Sequence, residues 1–496
     1  MITQGMSHQL EAMRRMENRK TFGLFMEMGT GKTWTLLADA ERLYAAGQID
    51  AMLVIAPKGV HTNWVRREIP THMNVHSICR AWSSGNKKAK AAANDLHNAR
   101  ADGEQIPLRV LAMNIDAVCT EDGFAFAKKF LIATNAVMII DESSRIKNPS
   151  AVRTQRIMAL RPYAKYARIA SGTPITNSPV DVFSQMEFLE SGLLGTTSYR
   201  SFVAEYSELV EAGSPMMIAM QKRNPRAAYA QVVARNEDGS PRWRNLDKLQ
   251  ALLQPHTFRV LKKDCLDLPD KIYQTHNFEL DNSQRRAYDL MAKELRMELE
   301  DGELKPIDAL ASLVKLQQIT SGFILQENGE PMYVGEKNTR MTALKELLED
   351  VDGQFIIWAR FKEELANIHR EFELMGISSV QYHGAVSTKD REAAIDSFQN
   401  GDARAFIGQP QSGGIGITLT NAQTVIYYSN DFNLETRLQS EDRAHRIGTK
   451  SNVVYIDLVA TETIDEKIAE SLQRKIDIAA TILNAPKDKI QAIIRS

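Results

Sequence analysis

A chain of 496 residues is too long for one ordinary hydrophobic core, so two or three domains are expected. With 43% hydrophobic and 25% charged residues it reads as a soluble globular protein, and a net charge of -1 leaves nucleic-acid binding undecided, because such binding needs only a local basic face. No apolar run approaches the roughly 18 residues of a membrane span, the N-terminus lacks a signal-peptide layout, and Cys79, Cys119 and Cys265 are too dispersed for a zinc site, so reduced, mostly buried thiols in a cytoplasmic protein are expected.

In chain order, the first element is an apolar strand, Thr21 to Met26, leading into Gly29-Thr30-Gly31-Lys32-Thr33. Thr33 to Ala46 reads as a helix with Leu36, Leu37, Ala40, Leu43 and Tyr44 on one stripe and Gly47 as its stop. Glycines between a strand and a helix let backbone N–H groups turn toward phosphate oxygens, and the helix N-terminus adds a favourable field. Lys32 then reaches the β- and γ-phosphates of a nucleotide, and the Thr33 hydroxyl ligates Mg²⁺. The strict pattern asks for a further glycine where this chain has Met26. A tight turn with an incidental lysine is the plain alternative, and the flanking strand and helix weigh against it.

Further strands are expected at Ala51 to Ala56, Arg109 to Met113, Ala136 to Ile140 and Ala167 to Ala170. Continuous apolar strands alternating with helices indicate a parallel sheet covered on both faces. The third of these runs into Asp141-Glu142, placing two carboxylates at the sheet edge where such folds bind ligands. Asp141 would join the Mg²⁺ shell, and Glu142 would orient and deprotonate the attacking water. An isolated Asp-Glu pair is usually a solvated turn, and the upstream loop is what gives this one meaning. Ser171-Gly172-Thr173-Pro174, after the next strand, reads alone as an ordinary turn.

From Val180 to about Arg340 the pattern is mainly helical, with its clearest loop at Asn236-Glu237-Asp238-Gly239-Ser240-Pro241. Strands return at Phe355 to Ala359, Val380 to Tyr382, Ala403 to Ile407, Thr424 to Tyr428 and Val453 to Val459. Asn433 to Arg446 reads as a helix, with Gln439, Arg443 and Arg446 at i, i+4 and i+7 on one face. Alone, that is an exposed charged helix laced with pairs between Glu441 and arginines. Lys87, Lys88, Lys90, Lys222, Arg223, Arg226, Arg242 and Arg244 read as solvated loop residues before they read as a nucleic-acid surface.

Together these residues resemble superfamily-2 helicases, and within them the SWI/SNF-like branch of double-stranded DNA translocases, from His8 to about Leu483. Met26 to Thr33 looks like the first motif, Asp141-Glu142-Ser143-Ser144 like the DExx box, and Ser171 to Pro174 like the motif that couples hydrolysis to movement. The resemblance makes Gln9, otherwise a surface residue, an adenine reader. It makes Lys58, Asn63 and Thr173 track contacts of the first lobe. Phe258 to Asp264 with Leu268-Pro269-Asp270-Lys271, and the helix around Leu313 to Ile319, resemble a linker that DEAD-box and RecQ-type helicases lack. Gln439 to Gly448 is similar to the sixth motif, which makes Arg443 and Arg446 arginine fingers and Gln439 a nucleotide contact. Gly413, Gly414 and Gly416 resemble the fifth motif, with Gly416 toward nucleotide and Gly413 toward nucleic acid. Gln409, Pro410 and Gln411 stand there in place of the usual Ser-Thr-Arg stretch, and Phe432-Asn433-Leu434 replaces Trp-Asn-Pro. Tyr382-His383-Gly384 resembles a second-lobe loop that grips a phosphate backbone, through His383 and Gly384.

The resemblance implies an α/β fold of two RecA-like parallel-sheet lobes. The expected division is an ATP-binding lobe over 1–180, helical insertions and linker over 181–340, a second lobe over 341–485 and a tail over 486–496. The implied function is ATP- and Mg²⁺-dependent translocation on double-stranded or branched DNA, with hydrolysis coupled to lobe closure. A strand-separating DNA or RNA helicase and an ATP-gated DNA-binding scaffold are the alternatives. A monomeric, minimal bacterial or bacteriophage engine without a membrane partner is expected.

Overall fold

The computed structural model describes residues 1–82, 94, 96, 107–211, 214, 217, 232–236, 241–301, 306–412 and 417–483. One compact unit runs over Met1–Leu266 and a second over Asp267–Asp477.

In the first unit the strands are β1 Thr21–Met26, β2 Ala51–Ala56, β3 Ser77–Trp82, β4 Leu108–Asn114, β5 Ala136–Asp141, β6 Tyr166–Ala170 and β7 Thr257–Val260. They form one sheet in the order β3-β4-β2-β5-β6-β1-β7, and every pairing is parallel. The unbroken apolar runs follow from this placement, because a central strand covered on both faces has no solvent side to show. Leu53, Ile55, Leu111, Met138 and Ile140 enter the core on one face. Met52, Val54, Val110, Val137 and Ile139 enter the core on the other.

The second unit repeats the plan. Its strands are β8 Lys271–Phe278, a short antiparallel hairpin of β9 Phe323–Leu325 and β10 Pro331–Tyr333, then β11 Phe355–Trp358, β12 Ser379–Tyr382, β13 Ala405–Gly408, β14 Thr424–Tyr427 and β15 Val453–Ala460. Six of them form a parallel sheet in the order β12-β13-β11-β14-β15-β8. The chain is thus an α/β protein with two parallel sheets, as the alternation of apolar runs implies.

Five strands escape the sequence pattern, the β9–β10 hairpin and three edge strands. β3, β7 and β8 lie at sheet edges, where one side of each strand has no neighbour. β8, Lys-Ile-Tyr-Gln-Thr-His-Asn-Phe, has no residue fully buried, so it offers no apolar run to read. The stretch from Val180 to Arg340, expected to be mainly helical, therefore also contributes an edge strand to each sheet. Its helices include Asn282–Asp301 and Pro306–Thr320, the latter containing the Leu313 to Ile319 segment. Lys87, Lys88, Lys90, Lys222, Arg223, Arg226 and the centre of the Asn236 to Pro241 loop lie outside the described residues. The three cysteines are free and half-buried rather than fully enclosed. No helix among the described residues is long and apolar enough to cross a membrane.

Candidate nucleotide site and the arginine helix

β1 lies between β6 and β7 and ends at the C-terminal edge of its sheet. Met26, where a leading glycine was expected, is the last residue of that strand and is buried in the core, so its side chain has no loop to obstruct. The chain then turns, with the Thr30 hydroxyl donating to the Glu27 carbonyl at 2.7 Å. Gly31 adopts a left-handed conformation (φ 84°), and a Cβ there would come within 1.9 Å of Gln9 Nε2. Only glycine meets both conditions. The helix Lys32–Ala45 follows, burying the stripe of Leu36, Leu37, Ala40, Leu43 and Tyr44. Gly47 (φ 64°) ends it as the Gln48 N–H returns to the Leu43 carbonyl at 2.9 Å. Lys32 Nζ folds back over the turn to donate to the Met26 carbonyl at 3.1 Å. A lysine beside left-handed glycines at a helix N-terminus is an arrangement suited to an anion.

The preceding helix, Ser7–Met16, braces this loop. His8 Nε2 donates to the Thr30 carbonyl at 2.8 Å, which fixes the proton on that nitrogen. Gln9 is 5% exposed and not the surface residue its isolated reading suggests. Its Oε1 accepts the Met6 N–H at 2.7 Å, and its Nε2 donates to the Gly31 carbonyl at 3.3 Å.

β5 and β6 pair with Asp141 opposite Ala170, so the residues that follow these strands emerge side by side. Asp141 Oδ2 accepts the indole N–H of Trp64 at 2.9 Å, and Oδ1 accepts the Glu142 N–H at 3.1 Å. Burial pushes the Asp141 carboxyl above its usual range, against the opposing pulls of Trp64 and the Lys32 charge. Trp64 itself is buried, in a π-helical turn Trp64–Glu68. It serves the carboxylate, while Lys58, Arg66 and Arg67 are exposed cations nearby in sequence and Asn63 is half-buried. Glu142 holds a left-handed backbone (φ 53°), uncommon for a residue with a side chain. Its Oε2 accepts the Ser171 hydroxyl at 3.4 Å, and Ser171 Oγ in turn accepts the Thr173 N–H at 3.1 Å. Gly172 faces Lys32, whose Nζ lies 3.5 Å from where a Cβ would sit. Three separate stretches, Gly29–Thr33, Asp141–Glu142 and Ser171–Thr173, therefore share one sheet edge. The Thr173 side chain is buried there.

In the second unit, Asn433 caps the helix Leu434–Ala444 by accepting the Thr436 N–H at 3.1 Å. The helix stops sooner than expected. His445 leaves helical geometry (φ -104°, ψ 88°), so Gln439 and Arg443 are helical but Arg446 stands beyond the end. Arg446 Nη1 donates to Thr418 Oγ1 at 3.0 Å and to the Ile417 carbonyl at 3.3 Å. The Arg443 carbonyl accepts the Leu419 N–H at 2.9 Å, and Gln439 Nε2 donates to Glu435 Oε1 at 3.1 Å.

Glu441 is not a surface partner but the centre of a buried charge cluster. It accepts from Arg437 Nε at 2.9 Å, Lys271 Nζ at 3.0 Å and the Tyr273 hydroxyl at 2.7 Å. Burial works to raise its carboxyl, but Lys271 and Arg437 outweigh that and bring it down to about 2. Arg437 also pairs with Asp457 and lies over the Tyr427 ring, 3.5 Å from its centre. His383, after β12, is half-buried, and burial with the Lys362 and Arg391 charges lowers its imidazole. Gly384 is open to solvent. Gly413, Gly414 and Gly416 lie outside the described residues.

A family model described as the SNF2-related domain matches residues 7–322, and one described as the helicase conserved C-terminal domain matches residues 339–448. The chain belongs to the SNF2-related family. It is accordingly an ATP hydrolase of the helicase type. The chain is similar to the putative ATP-dependent helicase/translocase YwqA of Bacillus subtilis, 26% identical over 90% of this chain and 45% of that one. It is 24% identical to the transcription regulatory protein SNF2 of Saccharomyces cerevisiae over 95% of this chain and 27% of that one. The chain spans less than half the length of these curated relatives. Among solved structures, the SWI2/SNF2 ATPase core of Sulfolobus solfataricus in complex with dsDNA aligns over 100% of this chain and 97% of that one, with 22% identity and a TM-score of 0.41. The SNF2-related match covers the phosphate loop, both carboxylates and the linker. The C-terminal match covers the arginine helix.

Proposed function

We propose that this SNF2-related chain is an ATP-driven translocase on double-stranded DNA that remodels DNA or protein–DNA complexes. The observation that carries this reading is the meeting of Lys32, Asp141, Glu142 and Ser171 at one sheet edge. In the proposed roles, Gly29 to Thr33 cradle the triphosphate, Lys32 offsets its charge, and Glu142 orients and deprotonates the attacking water. Gln9 reads the adenine from its place beside Gly31. Asp141 and the Thr33 hydroxyl are the donors for Mg²⁺, which would neutralise phosphate charge when bound. That set fits, because each Asp141 oxygen accepts one bond here and carries two lone pairs, and Mg²⁺ needs only one or two carboxylates besides phosphate and water.

Arg443 and Arg446 are proposed to complete the site from the second lobe, so that hydrolysis follows lobe closure. Lys58, Asn63, Thr173, His383, Gly384 and Gly413 are proposed to follow the sugar-phosphate backbone. DNA as the track is supported by family membership and by relatives such as the chromodomain-helicase-DNA-binding protein 1-like of mouse, 23% identical over 92% of this chain. A bacterial cytoplasm suits this reading, given the Bacillus subtilis relative. The expected result is that duplex DNA raises ATP turnover more than single strands or RNA of equal length. Equal stimulation by RNA removes the assignment of the track.

A further inference from the structure

Lys262 stands beside the phosphate loop although it comes 235 positions after Glu27. β7 pairs with β1 so that Val260 lies opposite Met26, and the residues after both strands emerge together. The Glu27 N–H donates to the Val260 carbonyl at 2.8 Å, and the Lys262 N–H donates to Glu27 Oε2 at 2.8 Å. Those two bonds hold Lys262 against the loop. Its side chain runs over Gly29, where a Cβ would sit 3.4 Å from Cε and 3.9 Å from Nζ. Gly29 is left-handed (φ 79°), a conformation that favours glycine, and the lysine passes it at ordinary contact distance.

Lys262 is 3% exposed. Its ammonium is thus held out of bulk water beside the loop, and the Glu27 carboxylate that accepts its backbone N–H also acts on Arg259. Burial takes the Arg259 guanidinium down to about 10, with Glu27 and Asp264 pulling the other way. The loop meanwhile presents the positive end of the helix Lys32–Ala45. Cationic groups gathered at a helix N-terminus gain most when a polyanion binds among them.

We propose that Lys262 is a second phosphate-binding lysine of the nucleotide site, delivered by β7, so that the triphosphate lies between Lys32 and Lys262. This rests on the reading of Gly29 to Thr33 as a phosphate loop. The test measures ATP and AMP affinity by displacement of a fluorescent nucleotide, without DNA, alongside the melting temperature of the free protein. Lys262→Met and Lys262→Gln should weaken ATP about ten- to a hundredfold while changing AMP little, since a charged contact to the outer phosphates is lost. Lys262→Arg should keep most of the ATP affinity, and Lys263→Met all of it. Unchanged ATP affinity in both neutral variants, with Lys32→Ala weakened, overturns the proposal and leaves the loop reading standing. Equal loss of ATP and AMP, or a lowered melting temperature with the ATP preference intact, also overturns it, by showing a brace rather than a contact. Wild-type ATP binding in Lys32→Ala removes the loop reading itself.

Discussion

At the residue scale, the informative contacts are those that hold the charged groups in place. Trp64 donates to Asp141, a carboxyl that burial already raises. Removing that donor disfavours the ionised form, so Trp64→Phe should raise the Asp141 pKa further. Turnover requires the carboxylate in the proposed site, so the acidic limb of the pH–rate profile should move to higher pH. Lost activity of about tenfold or more is expected near that limb, from a bond worth about 1–3 kcal/mol. An unmoved profile would detach Trp64 from the site. Lys32, Asp141 and Glu142 were legible because a loop between a strand and a helix, and carboxylates at a strand end, carry their chemistry in local spacing. Trp64, His8 and Lys262 were not. Each matters through a partner far away in sequence, and nothing local to a tryptophan or lysine announces that partner.

At the scale of elements, the arginine helix is held by charge as much as by apolar packing. Lys271 and Tyr273 on β8, Asp457 on β15 and Arg437 one turn back surround or support Glu441. His445 adds a bond from its Nε2 to the Pro269 carbonyl at 2.7 Å. The linker-like stretch Leu268 to Lys271 is thus the seat on which the helix rests. Glu441→Gln should destabilise the second unit by about 3–5 kcal/mol, since it strips one partner from buried cations. Its carboxyl stands at about 2 against an ordinary 4.5, so its stabilisation is fully present above 4.5 and lost as pH falls toward 2. The wild type should therefore lose stability through that window in melting experiments, and the variant should show a flatter dependence. The helix was legible from its spacing, but its end was not. His445 breaks it at a bond to a distant carbonyl, which no periodicity encodes. The edge strands β3 and β8 were missed because half-exposed strands lack the apolar signature of buried ones, and β7 because four residues with Thr257 and Arg259 among them make no apolar run.

At the scale of the whole molecule, two parallel sheets each carry part of the proposed chemistry, the phosphate loop and carboxylates on one and the arginines on the other. Arg446→Ala should therefore spare nucleotide affinity while lowering turnover by about 10³-fold or more. Binding measured by fluorescent nucleotide and turnover by phosphate release separate the two effects, and normal turnover removes Arg446 from the reaction. The two-sheet architecture was readable from recurring apolar runs. The linker between them was readable only as a resemblance, because its short or half-exposed edge strands and single-residue contacts have no pattern of their own.

In the role proposed for Glu142, its left-handed backbone sets fold against turnover. A glutamate at φ 53° sits where asparagine is more comfortable, and such conformations cost on the order of 1 kcal/mol or more. Glu142→Asn should melt a few degrees higher than the wild type while hydrolysing almost no ATP. Selection for resilience alone would discard this glutamate. In the proposed role its strained position is held for the reaction, and a variant that melts lower would show that the strain is already relieved by its neighbours.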